Sequence, residues 1–257
     1  LPPMPCTMSW HLMRQRIVPA FMEEAPASSR HDLCQACAIR NKAICSDLDP
    51  REIGILNRIG RRRRLAAGEQ LMWEGHEAVL VANVIEGILK LSSHSADGKE
   101  QILGLVYPSD FLGRPFGETS PYGVEALTDS HICVFERKDF ERFAREHPRL
   151  EHKLLERTLG ELDRTRRWML LLGRMTAEQK LASFLLEMAD RLGTSEADGS
   201  TTILLPLSRQ QIADILGLTV ETISRQLTQL RAKGIITLSS RREIRIDMIE
   251  ELQDIAG

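Results

Sequence analysis

The stretch CQACAIRNKAIC, residues 34–45, holds three of the chain's five cysteines, Cys34, Cys37 and Cys45, in the spacing C-x2-C-x7-C. C-x2-C presents two thiols from one turn of chain, and seven further residues let the chain loop back with a third. Such packing of an odd number of cysteines points, in a reducing compartment, to metal or redox chemistry and away from structural disulfides. Thiolates in this pattern hold a zinc ion or an iron–sulfur group, and spacing alone does not separate the two. The remaining cysteines are Cys6 and Cys133.

A second set of residues suited to recognition lies in LSRQQIADILGLTVETISRQLTQLRAKGIITLSSRREIRI, residues 207–246. Ser208 followed three residues later by Gln211 is a capping box. Gly217 supplies a tight turn, Thr219 caps a second helix, and Gly234 ends it. Two short helices about a glycine turn predict a helix-turn-helix, and the IITL and EIRI runs about SSRR predict a wing. On the second helix Val220, Ile223, Leu227 and Leu230 share the face to be buried. Glu221, Ser224, Arg225 and Thr228 share the opposite face, near the N-terminus, where recognition helices meet base edges. Arginine bonds G O6 and N7 and glutamate accepts from C N4, so Arg225 and Glu221 could read both strands of a G·C pair in double-stranded DNA. Thr219 and Arg209 complete the expected contact set. Residues 206–246 carry seven basic and three acidic side chains in a chain of net charge −2, the local excess that phosphate contacts need.

These residues need elements to hold them. Residues 1–33 carry five prolines and are expected to form a flexible tail. Ile53, Leu56 and Ile59 give DPREIGILNRI (49–59) a helical period. From about residue 65 to 136, short apolar runs alternate with glycine turns, and Asp97-Gly98 between apolar runs signals a hairpin. The pattern predicts a small antiparallel barrel or roll. A long helix, about 148–172, follows. Leu155, Thr158, Leu162, Thr165, Met169 and Leu172 alternate spacings of three and four, a heptad seam expected to form a homodimer interface. Trp168 and Leu171, off the seam, are expected to face the roll. A helix over 176–193 starts at Thr176, and TSEADGSTT (194–202) reads as a polar loop. The fold class is α+β: a cysteine-rich segment with an antiparallel, jelly-roll-like β-roll (34–147), a dimerisation helix (148–174) and a winged helix-turn-helix (175–257).

Roll, long helix and winged helix-turn-helix in this order resemble the Crp/Fnr transcription regulators over nearly all of residues 30–250. VETISR is similar to the FNR branch, which implies that Glu221, Ser224 and Arg225 read TTGAT-type half-sites of a palindrome. The same resemblance implies an oxygen-labile [4Fe-4S] cluster on three N-terminal cysteines and one in the roll, here Cys34, Cys37, Cys45 and Cys133 of HICVF. Cys133 lies 88 residues beyond Cys45, so a shared cluster would tie the N-terminal segment to the roll. The C-x2-C-x7-C spacing is two residues longer than the best-known FNR pattern and looks like the FnrN/FnrL-type variant. Cys6 is the alternative fourth ligand. Cys133 also reads as a small buried core residue, and zinc is the rival occupant. The resemblance implies a dimeric activator that contacts RNA polymerase when oxygen is low. Glu161 and Asp163 flank the seam without entering it, which favours a switch by reorientation of the dimer.

The cyclic-nucleotide branch of the same family binds phosphate through a Gly-Glu pair and a later Arg. Gly117-Glu118 is present, but Arg114 stands where an acid is usual and YGVEAL lacks the arginine, so a cyclic nucleotide is not expected. No apolar run approaches the roughly 18 residues of a membrane span. The N-terminus lacks the basic-then-apolar order of a secretory signal, Leu1 suggests a start at Met4 or Met8, and the expected location is cytoplasmic. RRRR (61–64) reads as a solvated face preceding the barrel. No catalytic triad is evident, so no enzymatic activity is expected. The other readings are a zinc-stabilised or cluster-free regulator sensing a different signal, and an iron–sulfur electron carrier.

Overall fold

The computed structural model describes residues 34, 36–96, 98 and 100–257. The expected tail with Cys6, and Asp97 of the expected turn, lie outside the described residues.

Asp49 begins the first helix. Its carboxylate accepts from the N–H groups of Arg51 and Glu52 at 2.7 and 2.8 Å, and Glu52 accepts from Asp49 N–H at 2.8 Å. This capping box encloses Pro50, whose fixed φ suits the first helical turn. Helix α1 (Pro50–Ile59) buries Ile53 and Leu56.

Eight strands follow: β1 (Gly60–Leu65), β2 (Gln70–Met72), β3 (Leu80–Glu86), β4 (Leu89–His94), β5 (Glu100–Val106), β6 (Phe111–Gly113), β7 (Gly123–Ala126) and β8 (Ser130–Glu136). They form two antiparallel sheets, ordered β1-β8-β3-β6 and β2-β7-β4-β5. Strand alternation sorts the side chains. Ala82, Val84, Leu89, Val124, Ile132 and their neighbours fill the interior between the sheets. Val81, Cys133 and Phe135, one residue out of phase, face the other way and meet α1 and helix α2 (Arg137–Glu146). The hairpin of β4 and β5 is present, with Gly98 N–H bonded to Ser95 O at 2.8 Å.

Helix α3 (Pro148–Arg174) lays one face on this body through Leu150, Leu154 and Leu171, with Trp168 partly buried. The heptad residues point away. Leu155 is 55% exposed, Leu162 42%, Met169 68% and Leu172 38%. Thr158 and Thr165 are also exposed, and their hydroxyls donate to Leu154 O and Glu161 O, one turn back, at 2.8 and 2.9 Å. Their polar atoms are thereby satisfied within the helix.

Helix α4 (Ala177–Leu192) opens with a Thr176–Gln179 capping box. Strands β9 (Gly193–Ser195), β10 (Thr201–Leu204), β11 (Ile236–Leu238) and β12 (Glu243–Ile246) form a third sheet, ordered β11-β12-β10-β9. Between them stand α5 (Arg209–Leu216) and α6 (Val220–Ala232), and α7 (Ile249–Ala256) packs at the end.

Residues 61–64 do not precede the roll; they are its first strand, an edge strand paired to β8 along its whole length. TSEADGSTT is not a loop throughout, because its ends pair as β9 and β10.

Ile88, Ile102 and Tyr107 of the roll share one continuous core with α4, α5, α6 and the third sheet. Tyr107 Oη contacts Met188 Sδ at 3.6 Å, and Gln101 Nε2 donates to the Asp214 carbonyl of α5. Among the described residues, no helix is long and apolar enough to cross a membrane.

Candidate metal centre and nucleic-acid interface

Residues 36–48 run as successive turns rather than as a regular helix. Arg40 N–H bonds Cys37 O, Ala43 N–H bonds Ile39 O, and a 3-10 turn spans Ile44–Asp47. Ile39, Ala43, Ile44 and Leu48 are buried and anchor the segment. Helix α3 holds it from the side, with Lys153 Nζ 3.5 Å from Asp47 Oδ2 and Arg157 donating to the Lys42 carbonyl.

The segment thus lies over the outward face of β8, where Cys133 projects. Cys34, Cys45 and Cys133 all pack against the same apolar cluster, and Cys34 Sγ donates to Asn57 Oδ1 of α1 at 3.2 Å. Burial raises the Cys133 thiol pKa, and Cys34, Cys37 and Cys45 each raise it further. Burial, then Cys37 and Cys34, push Cys45 up to about 11. Cys34 is raised by burial and by Cys37, and drawn back by Arg62 and Arg40. The four predicted thiols therefore lie within electrostatic reach of one another, although 88 residues separate Cys45 from Cys133.

Arg62 is the register partner of Cys133 across β1 and β8, and it favours the thiolate form of both Cys133 and Cys34. Four thiols with cationic neighbours fit a group that takes four thiolates and is negatively charged once bound. Among the described residues, no three His, Cys, Asp or Glu side chains gather around a point one metal ion could occupy.

At the other end of the molecule, Ser208 Oγ accepts from Gln211 N–H at 3.2 Å, and Gln211 Oε1 accepts from Ser208 N–H at 2.8 Å. Gly217 ends α5 at φ +61°, left-handed backbone that glycine adopts readily. Thr219 Oγ1 caps α6 by accepting from Thr222 N–H at 3.2 Å. Ile223, Leu227 and Leu230 are buried and Val220 half-buried, while Glu221, Ser224, Arg225 and Thr228 are exposed along the opposite side. Glu221 is held below the usual carboxylate range by its own backbone N–H and by the Thr219 hydroxyl.

Arg209 is placed differently from a free phosphate contact. It is half-buried at the start of α5, its Nη1 is enclosed without a hydrogen-bond partner, and burial lowers its pKa. Arg241 and Arg242 at the wing are exposed. Arg245 is tied to Asp247 at 2.6 Å and Lys233 to Glu178 at 2.7 Å.

Sequence reasoning did not single out Asn57, Asn83 or Lys90. Lys90 is buried on β4 with its Nζ 2.6 Å from Glu100 and 3.3 Å from Glu125. That pairing occupies Glu125 on β7, while Val124 beside it points into the roll.

A model of the Crp-like helix-turn-helix domain matches residues 179–255, and one of the cyclic nucleotide-binding domain matches residues 62–147. The transcriptional activator protein FnrL of Cereibacter sphaeroides is 43% identical over 227 residues, covering 87% of this chain and 92% of that protein. The nitrogen fixation regulation protein FixK of Bradyrhizobium diazoefficiens is 39% identical over 205 residues, covering 80% and 86%. The solved structure of FixK2 from Bradyrhizobium japonicum matches with a TM-score of 0.71 at 33% identity, covering 77% of this chain and 98% of that one. A CooA mutant from Carboxydothermus hydrogenoformans, at 22% identity, shares the fold with a TM-score of 0.67 over 79% of this chain and 90% of its own.

Proposed function

This chain belongs to the Crp/Fnr family of transcription regulators, and from that premise we propose an oxygen-responsive activator that carries a [4Fe-4S] cluster and binds DNA as a dimer. It is a transcriptional activator of the FnrL/FixK type, and no enzymatic family is indicated. The observation that carries the finer reading is the convergence of Cys133 with Cys34, Cys37 and Cys45. Those four residues would hold the cluster, and when bound it supplies a reactivity toward oxygen that destroys it.

The rest of the mechanism belongs to the chain. Lys153 and Arg157 join the cysteine segment to α3. Ligation that ties this segment to β8 therefore biases how α3 sits on the roll. The outward seam of α3, from Leu155 to Leu172, pairs with the same seam of a second copy, and pairing fixes the distance between two α6 helices. A twofold dimer reads half-sites one helical turn apart, here TTGAT-type sequences contacted through Glu221, Ser224 and Arg225. Bound in this way, the dimer recruits RNA polymerase.

The test is the visible absorption spectrum of protein purified without oxygen, with iron and sulfide assays before and after exposure to air. About four irons per chain, a brown colour that bleaches in air, and loss of both in Cys133→Ala are expected. A colourless protein holding stoichiometric zinc would replace the cluster by a structural ion and leave the DNA-binding reading intact.

A further inference from the structure

The chain contains three asparagines, Asn41, Asn57 and Asn83, and two of them, Asn57 and Asn83, lie beside the cysteines. Asn41 stands within the cysteine segment. Asn57, on α1, already accepts from Cys34 Sγ at 3.2 Å. Asn83 lies on β3 directly opposite Cys133. Opposed residues of an antiparallel pair share a face, with Cβ atoms about 4.5–5.5 Å apart. That face is the outward one, because Ala82 and Val84 point into the roll while Val81 joins Phe135 outside.

Asn83 is only 2% exposed, and its Oδ1 has no hydrogen-bond partner. An amide oxygen without a partner carries its desolvation cost when buried, and an apolar residue of the same size would avoid it. Packing therefore gives no reason for an amide at this place. Chemistry does. A side-chain amide both accepts and donates. Toward a cysteine S–H it offers Oδ1, as Asn57 does here. Toward a metal-bound sulfur, which only accepts, it offers Nδ2–H.

We propose that Asn83 and Asn57 are positioning residues for the iron–sulfur cluster, donating side-chain hydrogen bonds to its sulfurs from the strand side and the helix side. The inference rests on the reading of Cys34, Cys37, Cys45 and Cys133 as cluster ligands. Hydrogen bonds to the sulfurs stabilise the electron-richer state and so raise the reduction potential, and outer partners of this kind also control retention of the group.

The test compares the full chain, loaded with iron and sulfide without oxygen, as wild type, Asn83→Leu and Asn83→Ser. Leucine keeps the volume and removes the amide, and serine retains a donor. Expected for N83L are a more negative midpoint potential and bleaching in air about 10-fold faster, with N83S intermediate and the circular dichroism of the metal-free forms unchanged. A loaded N83L with wild-type potential and lifetime overturns the inference alone. A second measurement covers a variant that fails to fold. Wild-type protein isotopically labelled only at asparagine nitrogen is reduced by one electron and examined by pulsed electron paramagnetic resonance. Coupling of the cluster spin to an amide nitrogen is expected, and its absence overturns the inference. Wild-type protein that takes up no iron or sulfide overturns the parent reading and this inference with it.

Discussion

Glu221 and Arg225 stand four residues apart on the exposed side of α6, so one turn of helix presents an acceptor and a fork of donors together. Thr219 and the backbone keep Glu221 ionised, hence an acceptor only. Replacing Arg225 with Ala is expected to remove about 1–3 kcal/mol of discrimination at one G·C pair, read by fluorescence anisotropy on half-site variants. An equal loss on every sequence would contradict base reading. The thiols give a second expectation at this scale. In the metal-free protein Cys45 is shifted from 9.0 to about 11, mainly by burial. Between those values the folded chain binds more protons than the unfolded one, so stability falls as pH rises through that window. Denaturant midpoints of metal-free protein, measured below and within the window, check the sign. A midpoint that rises with pH would contradict the burial.

The exposed stripe on α3 is the surface through which the proposed dimer would pair. Burying a leucine side chain is worth about 1.5–3 kcal/mol, and 1.4 kcal/mol is tenfold in an equilibrium constant. Leu162→Glu should therefore weaken self-association at least about tenfold in sedimentation velocity. An unchanged dimer would place the interface elsewhere. The heptad was legible because its apolar residues recur along one line, and Thr158 and Thr165 fit it by turning their hydroxyls into the helix. The helix-turn-helix was legible for a similar reason, since Ser208, Gly217 and Thr219 announce its caps. Strands β1, β9 and β10 were harder. Arg61–Arg64 occupy an edge strand with little to bury, and β9 is exposed at every residue, so neither shows apolar alternation. The Asp198-Gly199 turn between β9 and β10 was a usable signal that the polar run obscured.

At the scale of the molecule, the shared core binds the roll to the DNA-reading half. Ile102→Ala, which removes volume from that core, is expected to cost about 2–5 kcal/mol and to lower one common calorimetric transition. Two transitions, with only one displaced, would show that the halves unfold independently. Of the proposed ligands, Cys34, Cys37 and Cys45 could be nominated from residue type and spacing, and Cys133 only through the resemblance to the FNR branch. Asn57 and Asn83 could not, because their relation to the thiols exists only through helix placement and strand register. The cation grip of Lys153 and Arg157 on the cysteine segment has a consequence for dosage. Two binding events that favour the same arrangement of α3 strengthen each other by one common factor. A cluster that promotes pairing is therefore retained better by paired chains. For the proposed cluster, dilution below the pairing constant should shorten its lifetime at fixed oxygen, so the amount of regulator a cell makes would itself set the proposed oxygen threshold.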